Sequence, residues 1–171
     1  MIEPVNVYEA ATAKITENTA FRSFLEKNAD PDALDRQFHA LHADYFADYD
    51  CCQCTNCCSI YAVALREDEA DVIAAHLGMS IEAFSKAYLF RSGAGGYGIE
   101  GPCPFLLPDG KCTIHVCKPT VCRNYPYTDK PVVSGNLLKV FSIAEECPIV
   151  YEMIEKLKEI YQFKVADRCN S

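Results

Sequence analysis

The sequence predicts an α+β fold, a single α-rich domain with a small β element organised around a cysteine metal site. Two observations support this class. Apolar residues recur at three- and four-residue spacing through much of the chain, which is typical of amphipathic helices, and only short segments are typical of strands. In addition, five of the eight positions from Cys51 to Cys58 are cysteine. Packing does not require this density, because Ala, Val or Ser would fill the same volumes, whereas thiolates bind soft metals.

The N-terminal region, residues 1–50, is predicted to be helical. One amphipathic helix is indicated by apolar residues at Val7, Ala11, Ile15, Phe21, Phe24 and Leu25. After a break at residues 28–30, Asp30 and Pro31 supply an N-cap and a proline at the first helical position. The second helix leads directly to Cys51 and is interpreted as a packing helix. Its apolar positions are Leu34, Phe38, Leu41, Tyr45, Phe46 and Tyr49.

After the cysteine cluster, Ile60 to Leu65 predicts a short strand. A helix from Glu67 to Leu77 follows and ends at Gly78, which is a good C-cap. Ser80 then caps another helix, which runs to about Leu89.

Pro108 to Lys111 is a strong turn signal. The turn predicts a hairpin that joins Phe105–Leu107 to Cys112–Ile114. Because the two strands of a hairpin lie side by side, it would bring Cys103 close to Cys112.

The last part of the chain is predicted to contain a helical turn, a strand and a helix. Lys118 and Pro119 open the helical turn, which carries Cys122. Residues 137–141 predict a strand, and Cys147–Pro148 starts an amphipathic final helix. Its apolar stripe comprises Ile149, Met153, Ile154, Leu157, Ile160 and Tyr161.

The chain of 171 residues is long enough for one domain with a hydrophobic core. We divide it into a helical region (1–50), a cysteine-cluster metal-binding core (51–148) and a C-terminal helix (149–171). The first twenty residues lack a basic start followed by an apolar run, so no signal peptide is expected. No apolar stretch approaches the roughly 20 residues that span a bilayer. The sequence therefore predicts a soluble, cytoplasmic protein without a membrane partner.

In that compartment thiols stay reduced, and a cysteine cluster more often indicates metal than disulfides. A disulfide framework is the alternative. The odd count of 11 cysteines, the lack of an export signal and the vicinal pairs Cys51–Cys52 and Cys57–Cys58 argue against it.

Charge and motifs exclude several other functions. The formal net charge of −8 repels phosphate backbones, and no cluster of Lys and Arg stands out, so no nucleic-acid partner is expected. The glycine-rich run at 93–96 lacks the phosphate-loop pattern and predicts a flexible loop. No nucleophilic triad or acid–base pair is visible, and enzymatic activity is left open. If the protein takes part in an enzyme reaction, we expect it to be an accessory or redox module of the enzyme.

Cys51, Cys54, Cys57 and Cys58 form the pattern CxxCxxCC. If the segment is helical, the first, second and fourth of these lie on one face. If it is a loop, the first three suit iron–sulfur ligation with a distant fourth ligand. The sequence does not choose between these partitions.

Two metals fit the thiolates. Four thiolates in a closed tetrahedron suit structural zinc. The second group, Cys103, Cys112, Cys122 and Cys147, is singly spaced, however, and an iron–sulfur cluster can gather scattered ligands. The Cys-Pro steps at 103–104 and 147–148 also accompany cluster ligation in ferredoxins. We therefore favour an iron–sulfur cluster and keep Zn²⁺ as the alternative.

The chain resembles the YkgJ-type CxxCxxCC cysteine cluster proteins, described as zinc- or iron-chelating domains. Matching residues span roughly 51–148 and comprise the CxxCxxCC cysteines, Pro102 to Leu106, Cys112, Cys122 to Pro126, and Cys147–Pro148. A related domain occurs in flagellin lysine methylases that carry an iron–sulfur cluster. The sequence departs from the family pattern at His115, where Tyr is usual, at Lys118, where Arg is usual, and at Tyr125, where Phe is usual.

The resemblance implies metal binding by up to eight cysteines. They are Cys51, Cys54, Cys57, Cys58, Cys103, Cys112, Cys122 and Cys147. Cys52, Cys117 and Cys169 lie outside the pattern. From these residues we expect a metal-binding protein that holds an iron–sulfur cluster, 4Fe-4S in type, as a redox or electron-transfer module with a protein redox partner. The alternative is a structural zinc or metal-handling protein without redox chemistry.

Two residues near the cysteines have open roles. His115 is expected to pack or hydrogen-bond rather than to bind metal, because enough cysteines exist already. Arg123 either offsets the charge of the thiolates or forms a surface ion pair.

Overall fold

Helices dominate the computed structural model, which describes residues 1–91 and 96–164. The helices, in chain order, are α1 (Val7–Ala13), α2 (Ile15–Asn28), α3 (Pro31–Phe46), α4 (Cys51–Cys54), α5 (Asn56–Ile60), α6 (Glu67–His76), α7 (Ile81–Tyr88), α8 (Thr120–Asn124), α9 (Leu137–Ile143) and α10 (Pro148–Ile160). The strands are β1 (Val63–Leu65), β2 (Leu89–Arg91) and β3 (Tyr97–Ile99). Short 3-10 helices cover Pro4–Asn6, His115–Cys117 and Ser134–Asn136. The predicted α+β class, rich in helix with a small sheet, is confirmed.

The chain forms two compact units, which we call the helical unit and the cysteine unit. The helical unit consists of residues 1–49 together with the chain from residue 126 onward, and the cysteine unit of residues 50–125. Residues 126–148 therefore belong to the unit of the N-terminal helices, whereas the sequence analysis placed them in the metal-binding core. The domain boundaries drawn from the sequence stay a prediction.

In the helical unit, the predicted first helix is interrupted once. The backbone leaves helical geometry at Lys14, with φ −102° and ψ 12°, and this residue separates α1 from α2. The predicted start of α3 is confirmed, because Asp30 Oδ1 accepts a hydrogen bond of 2.8 Å from the amide of Ala33 and Pro31 is the first helical residue. A side-chain cap of this kind satisfies one of the amides that a helix start leaves without an internal partner.

The core of the helical unit lies around α10. This helix packs against α1, α3 and α9, and α2 also packs against α9. Four of the predicted apolar positions on α10 are almost completely buried, namely Ile149, Met153, Ile154 and Leu157. Ile160, at the end of the helix, is exposed instead. Burial of this stripe is the main contribution of α10 to stability, since the hydrophobic effect scales with the apolar area removed from water.

The strand predicted at residues 137–141 is wrong, because this segment is the helix α9. Leu137, Val140 and Phe141 are buried, whereas Leu138 is exposed, so the apolar face follows the helical period rather than a period of two. Short apolar runs fit either period when they are seen in isolation. Packing of α9 against α2 and α10 selects the helix.

The histidines of α3 hold the segment that precedes α9. His39 Nε2 lies 2.9 Å from the carbonyl oxygen of Lys130, and His42 Nδ1 lies 2.8 Å from Oγ1 of the buried Thr128. Burial lowers the pKa of His42, which favours its neutral form. Both histidines of α3 therefore have a packing role in the helical unit.

The cysteine unit contains a three-stranded antiparallel sheet in the order β1-β3-β2. In its register Val63 of β1 and Leu89 of β2 both pair with Ile99 of β3. The predicted first strand is present but begins at Val63 rather than at Ile60. Strands β2 and β3 were not predicted. Most of the glycine-rich loop predicted at 93–96 lies outside the described residues.

Helices α6 and α7 pack against each other and form a core with the sheet. Its central residues are Ile73, Phe84, Ile99, Phe105 and Ile114. Ser80 caps α7 as predicted, since its Oγ accepts a hydrogen bond from the amide of Ala83. Helix α6 ends at His76, one residue before the predicted Leu77, and Gly78 adopts φ +68° after it. Two thiols of the second cysteine group border this core, because partly buried Cys103 and Cys112 pack against it.

Among the described residues, no helix has both the length and the apolar character that a bilayer span requires.

Candidate metal site

The CxxCxxCC segment forms two short helical turns, α4 and α5, joined by a single residue. That residue, Thr55, adopts the left-handed conformation with φ 51°. Asp50 starts the first turn, because its Oδ1 accepts a hydrogen bond of 2.8 Å from the amide of Cys52. The segment is therefore neither one continuous helix nor an open loop. In the second turn the adjacent sulfurs of Cys57 and Cys58 are 4.0 Å apart.

The hairpin predicted around residues 105–114 is confirmed in a minimal form. It consists of one antiparallel bridge between Leu106 and Cys112. The turn is closed by the amide of Leu107, which donates to the carbonyl of Lys111 at 2.8 Å, and by the amide of Gly110, which donates to the carbonyl of Leu107 at 2.9 Å. The hairpin fixes the backbone around Cys112.

This hairpin contacts both cysteine turns. At its start, the amide of Cys103 donates a hydrogen bond of 2.8 Å to the carbonyl oxygen of Cys58 in α5. At its tip, Gly110 adopts φ +83°, and a Cβ atom there would lie 1.9 Å from the carbonyl oxygen of Cys52 in α4. Only glycine fits at such a close approach. Two backbone contacts therefore bring Cys103 and Cys112 to the CxxCxxCC segment.

Helix α8 carries Cys122, as the sequence predicted, and packs against β1. Its first residue, Thr120, is held by Glu69 of α6, whose Oε1 accepts hydrogen bonds from the Thr120 amide at 2.7 Å and from Thr120 Oγ1 at 2.5 Å. Arg123 Nη2 donates to the same Oγ1 at 3.0 Å and lies 3.8 Å from Glu69 Oε1. Of the two roles considered for Arg123, these contacts support the ion pair rather than the compensation of thiolate charge. Sequence reasoning missed Glu69, because nothing local links it to Thr120.

The thiols of this unit influence one another electrostatically. Burial, with smaller contributions from the neighbouring Cys58, Cys103 and Cys112, raises the pKa of Cys122 to about 12. Burial likewise raises the pKa of Cys103 and Cys112. A hydrogen bond from Cys57 lowers the pKa of Cys58 to about 7, despite its burial. Four of the predicted ligands are thus electrostatic neighbours, and three of them favour the protonated thiol when no metal is bound.

Lys118 is a cation that influences several of the thiols. Its positive charge lowers the pKa of Cys58, Cys112 and Cys122 and also that of Cys51. In each case this is a smaller effect than burial or a hydrogen bond. Proteins of the family that the sequence resembles usually have Arg at this position, so Lys118 keeps the positive charge.

The remaining predicted ligands differ in environment. Cys51 is exposed, and Cys54 and Cys57 are partly exposed. Cys147 belongs to the helical unit, where it is 8% exposed and precedes α10. Its amide donates to the carbonyl of Ile143 at 2.8 Å. Cys147 as a ligand stays a prediction.

Three further cysteines and one histidine lie outside the predicted ligand set. Cys52 and Cys117 are partly exposed, and Cys117 packs against the core of the cysteine unit. Cys169 lies outside the described residues. His115 is exposed in a 3-10 helix.

The donor chemistry of the cysteine thiols suits a soft metal ion or cluster. In the described ranges, 1–91 and 96–164, no three or more His, Cys, Asp or Glu side chains are grouped so that they could hold a metal ion. The thiol chemistry fits zinc and iron–sulfur clusters alike, since both take thiolate ligands.

A unit this rich in thiols is typical of metal-chelating cysteine proteins. The family model described as "CxxCxxCC: Putative zinc- or iron-chelating domain" matches residues 50–148. The match covers more than half of the 171 residues, and the chain belongs to this family. The resemblance stated from the sequence is thereby confirmed, and with it the assignment to a zinc- or iron-chelating domain. No curated protein and no solved structure matches the chain.

Proposed function

We propose that the protein holds a 4Fe-4S cluster and acts as a redox or electron-transfer module. The proposed ligands come from Cys51, Cys54, Cys57, Cys58, Cys103, Cys112, Cys122 and Cys147. The observation that carries the proposal is the hydrogen bond from the Cys103 amide to the Cys58 carbonyl. It supports a common site because it joins the singly spaced second group of cysteines to the CxxCxxCC segment.

When bound, an iron–sulfur cluster supplies an iron centre that changes valence by one electron. The residues of the chain would bind and shield it. Phe105 and Ile114, both buried, lie in the core that borders Cys103 and Cys112 and would exclude water from one side. Lys118 would offset part of the negative charge that thiolate ligands introduce, which is one way in which surroundings tune a metal site.

As an electron-transfer module the protein would exchange electrons with a protein redox partner. We propose the cytoplasm as its compartment, because reduced thiols persist there.

Anaerobic purification of the full chain tests the proposal. The protein should be brown, contain acid-labile sulfide and bleach reversibly with dithionite, because iron changes valence. Colourless protein with stoichiometric zinc and no sulfide, even after anaerobic reconstitution with iron and sulfide, would overturn it.

A zinc site is the second candidate function. It is supported by the mutual electrostatic influence of Cys58, Cys103, Cys112 and Cys122, because four thiolates are a complete tetrahedral set for structural zinc. A structural site should unfold when zinc is removed, whereas a metal-handling protein should release zinc to a moderate chelator and stay folded. Zinc content, chelator competition and circular dichroism distinguish these two forms.

A further inference from the structure

Glu69 ties the start of one helix to the start of another. Its side chain is only 11% exposed, although it lies in the acidic first turn of α6. One carboxylate oxygen, Oε2, accepts a hydrogen bond of 3.2 Å from the amide of Arg66. The other, Oε1, accepts from the amide and the hydroxyl of Thr120 at 2.7 Å and 2.5 Å. Hydrogen bonds to an ionised carboxylate are stronger than those between neutral groups.

Helix α8 is too short to be stable by itself. It has five residues, and isolated helices of that length are not stable in water. The residue before it, Pro119, provides no side-chain cap. The Thr120 amide is one of the donors that a helix start leaves without a partner inside the helix, and Glu69 supplies that partner from α6.

The position of Cys122 follows from that of Thr120. The amide of Cys122 donates to the carbonyl of Pro119 at 3.0 Å, and the amide of Arg123 donates to the same oxygen at 3.0 Å. These bonds join residues 119–123 in one hydrogen-bonded turn. A shift of Thr120 is therefore expected to move the backbone of Cys122, and the position from which its sulfur extends, with it.

We propose that Glu69 is a positioning residue for Cys122, the metal ligand carried by α8. The inference rests on the proposed function, because it takes Cys122 as a cluster ligand. Glu69 does not contact the metal. It acts through Thr120 by holding the α8 turn where Cys122 is an electrostatic neighbour of Cys58, Cys103 and Cys112. Residues that orient a ligand in this way commonly change metal affinity by about 10- to 100-fold when they are replaced.

The test compares four variants of the full chain, purified without oxygen. Glu69→Ala removes the anchor, and Glu69→Gln keeps its size but loses its charge. Glu67→Gln is the matched control, since Glu67 is exposed in the same helical turn. Cys122→Ser is the reference variant, because it shows the effect of losing this ligand completely.

The readouts are the iron-to-sulfide ratio and the electron paramagnetic resonance spectrum after mild oxidation. A four-iron cluster that lacks one thiolate ligand loses the corresponding iron and gives the three-iron spectrum. We expect this spectrum for Cys122→Ser and Glu69→Ala and in part for Glu69→Gln, but not for Glu67→Gln. Iron release to a chelator should be about tenfold faster in Glu69→Ala than in the unsubstituted protein.

The outcomes separate the inference from the proposed function. If Cys122→Ser gives the three-iron spectrum while both Glu69 variants keep four irons, the positioning role is wrong and the cluster proposal stands. If the unsubstituted protein holds no cluster, or if Cys122→Ser changes nothing, the assignment of Cys122 fails and the inference fails with it. If Glu69→Ala does not fold, Glu69→Gln and Thr120→Val carry the test, because each removes only part of the contact.

Discussion

The backbone amide of Cys103 donates a 2.8 Å hydrogen bond to the carbonyl oxygen of Cys58. This bond joins the first residue of the second cysteine group to the last cysteine of the CxxCxxCC segment. It involves no side chain, so the link persists whichever protonation state the thiols adopt. The backbone fold therefore places the two cysteine groups next to each other. Thiols from both groups can then contribute to one metal site.

The first prediction concerns the ligands. Single replacement of Cys51, Cys54, Cys57, Cys58, Cys103, Cys112, Cys122 or Cys147 by Ser should lower bound metal and sulfide at most positions, because a neutral hydroxyl is a poor substitute for a thiolate on a soft metal. Metal analysis of each anaerobically purified variant provides the measurement.

Cys52→Ser and Cys117→Ser are matched controls, since both residues lie beside proposed ligands but outside the family pattern. They should retain the metal content of the unsubstituted protein. Intact metal content in all eight ligand variants would show that the assignment is wrong, and metal loss in the two controls would show that the ligand set is incomplete.

The second prediction concerns the tip of the hairpin. Gly110→Ala should lower both stability and metal content, because its Cβ atom would lie 1.9 Å from the carbonyl oxygen of Cys52 and would force the hairpin away from α4. Gly78→Ala provides the control, since Gly78 also has a positive φ, +68°, but no atom lies within 4 Å of its added Cβ. The control should cost only the left-handed backbone penalty of about 1–2 kcal/mol.

Denaturant unfolding and metal analysis of the two variants measure the difference. Equal losses of stability in both variants, with unchanged metal content, would mean that the approach of the hairpin to α4 does not matter for the site.

The sequence was most informative where local chemistry determines the structure. The turn at residues 108–111, the caps at Asp30 and Ser80 and the helical turn after Pro119 all depend on residues next to one another in the chain. Caps and turns of this kind can be predicted from the sequence, because side chains hydrogen-bond to backbone groups only a few residues away.

The sequence was uninformative where distant packing determines the structure. Residues 137–141 fit a strand or a helix, and contacts with α2 and α10 made them a helix. Strand β3 pairs with both β1 and β2, and such pairing leaves no local signal. Glu69 belongs to the same category, because its partner Thr120 is remote in sequence and either residue alone has the character of a surface residue.

The third prediction concerns the extent of the structure that depends on metal. Removal of metal should speed amide hydrogen exchange in the hairpin and in α8 as well as in residues 51–58, because ligand binding and folding are coupled. The amides of Leu107 and Thr113, which close the hairpin, are sensitive positions. Mass spectrometry of peptides with and without chelator provides the measurement, and α3, which contains no cysteine, serves as a reference. Faster exchange confined to residues 51–58 would contradict an organising role for the metal.

The fourth prediction is that metal binding releases protons and strengthens as pH rises. The raised pKa values of Cys103, Cys112 and Cys122 keep these thiols protonated near neutral pH, whereas a bound metal requires thiolates. Raising the pH removes the competing protons, so affinity increases. Cys58, with a pKa of about 7, is already partly ionised and contributes a smaller release.

Titration of the metal-free protein with Zn²⁺ in weakly buffered solution, followed with a pH indicator, measures the released protons. Cys122→Ser should release about one proton fewer than the unsubstituted protein at neutral pH, because that thiol is protonated before binding and ionised afterwards. Cys117→Ser, which alters a thiol outside the proposed set, should release as many as the unsubstituted protein. An affinity that is constant between about pH 6 and pH 8 would exclude binding through these protonated thiols.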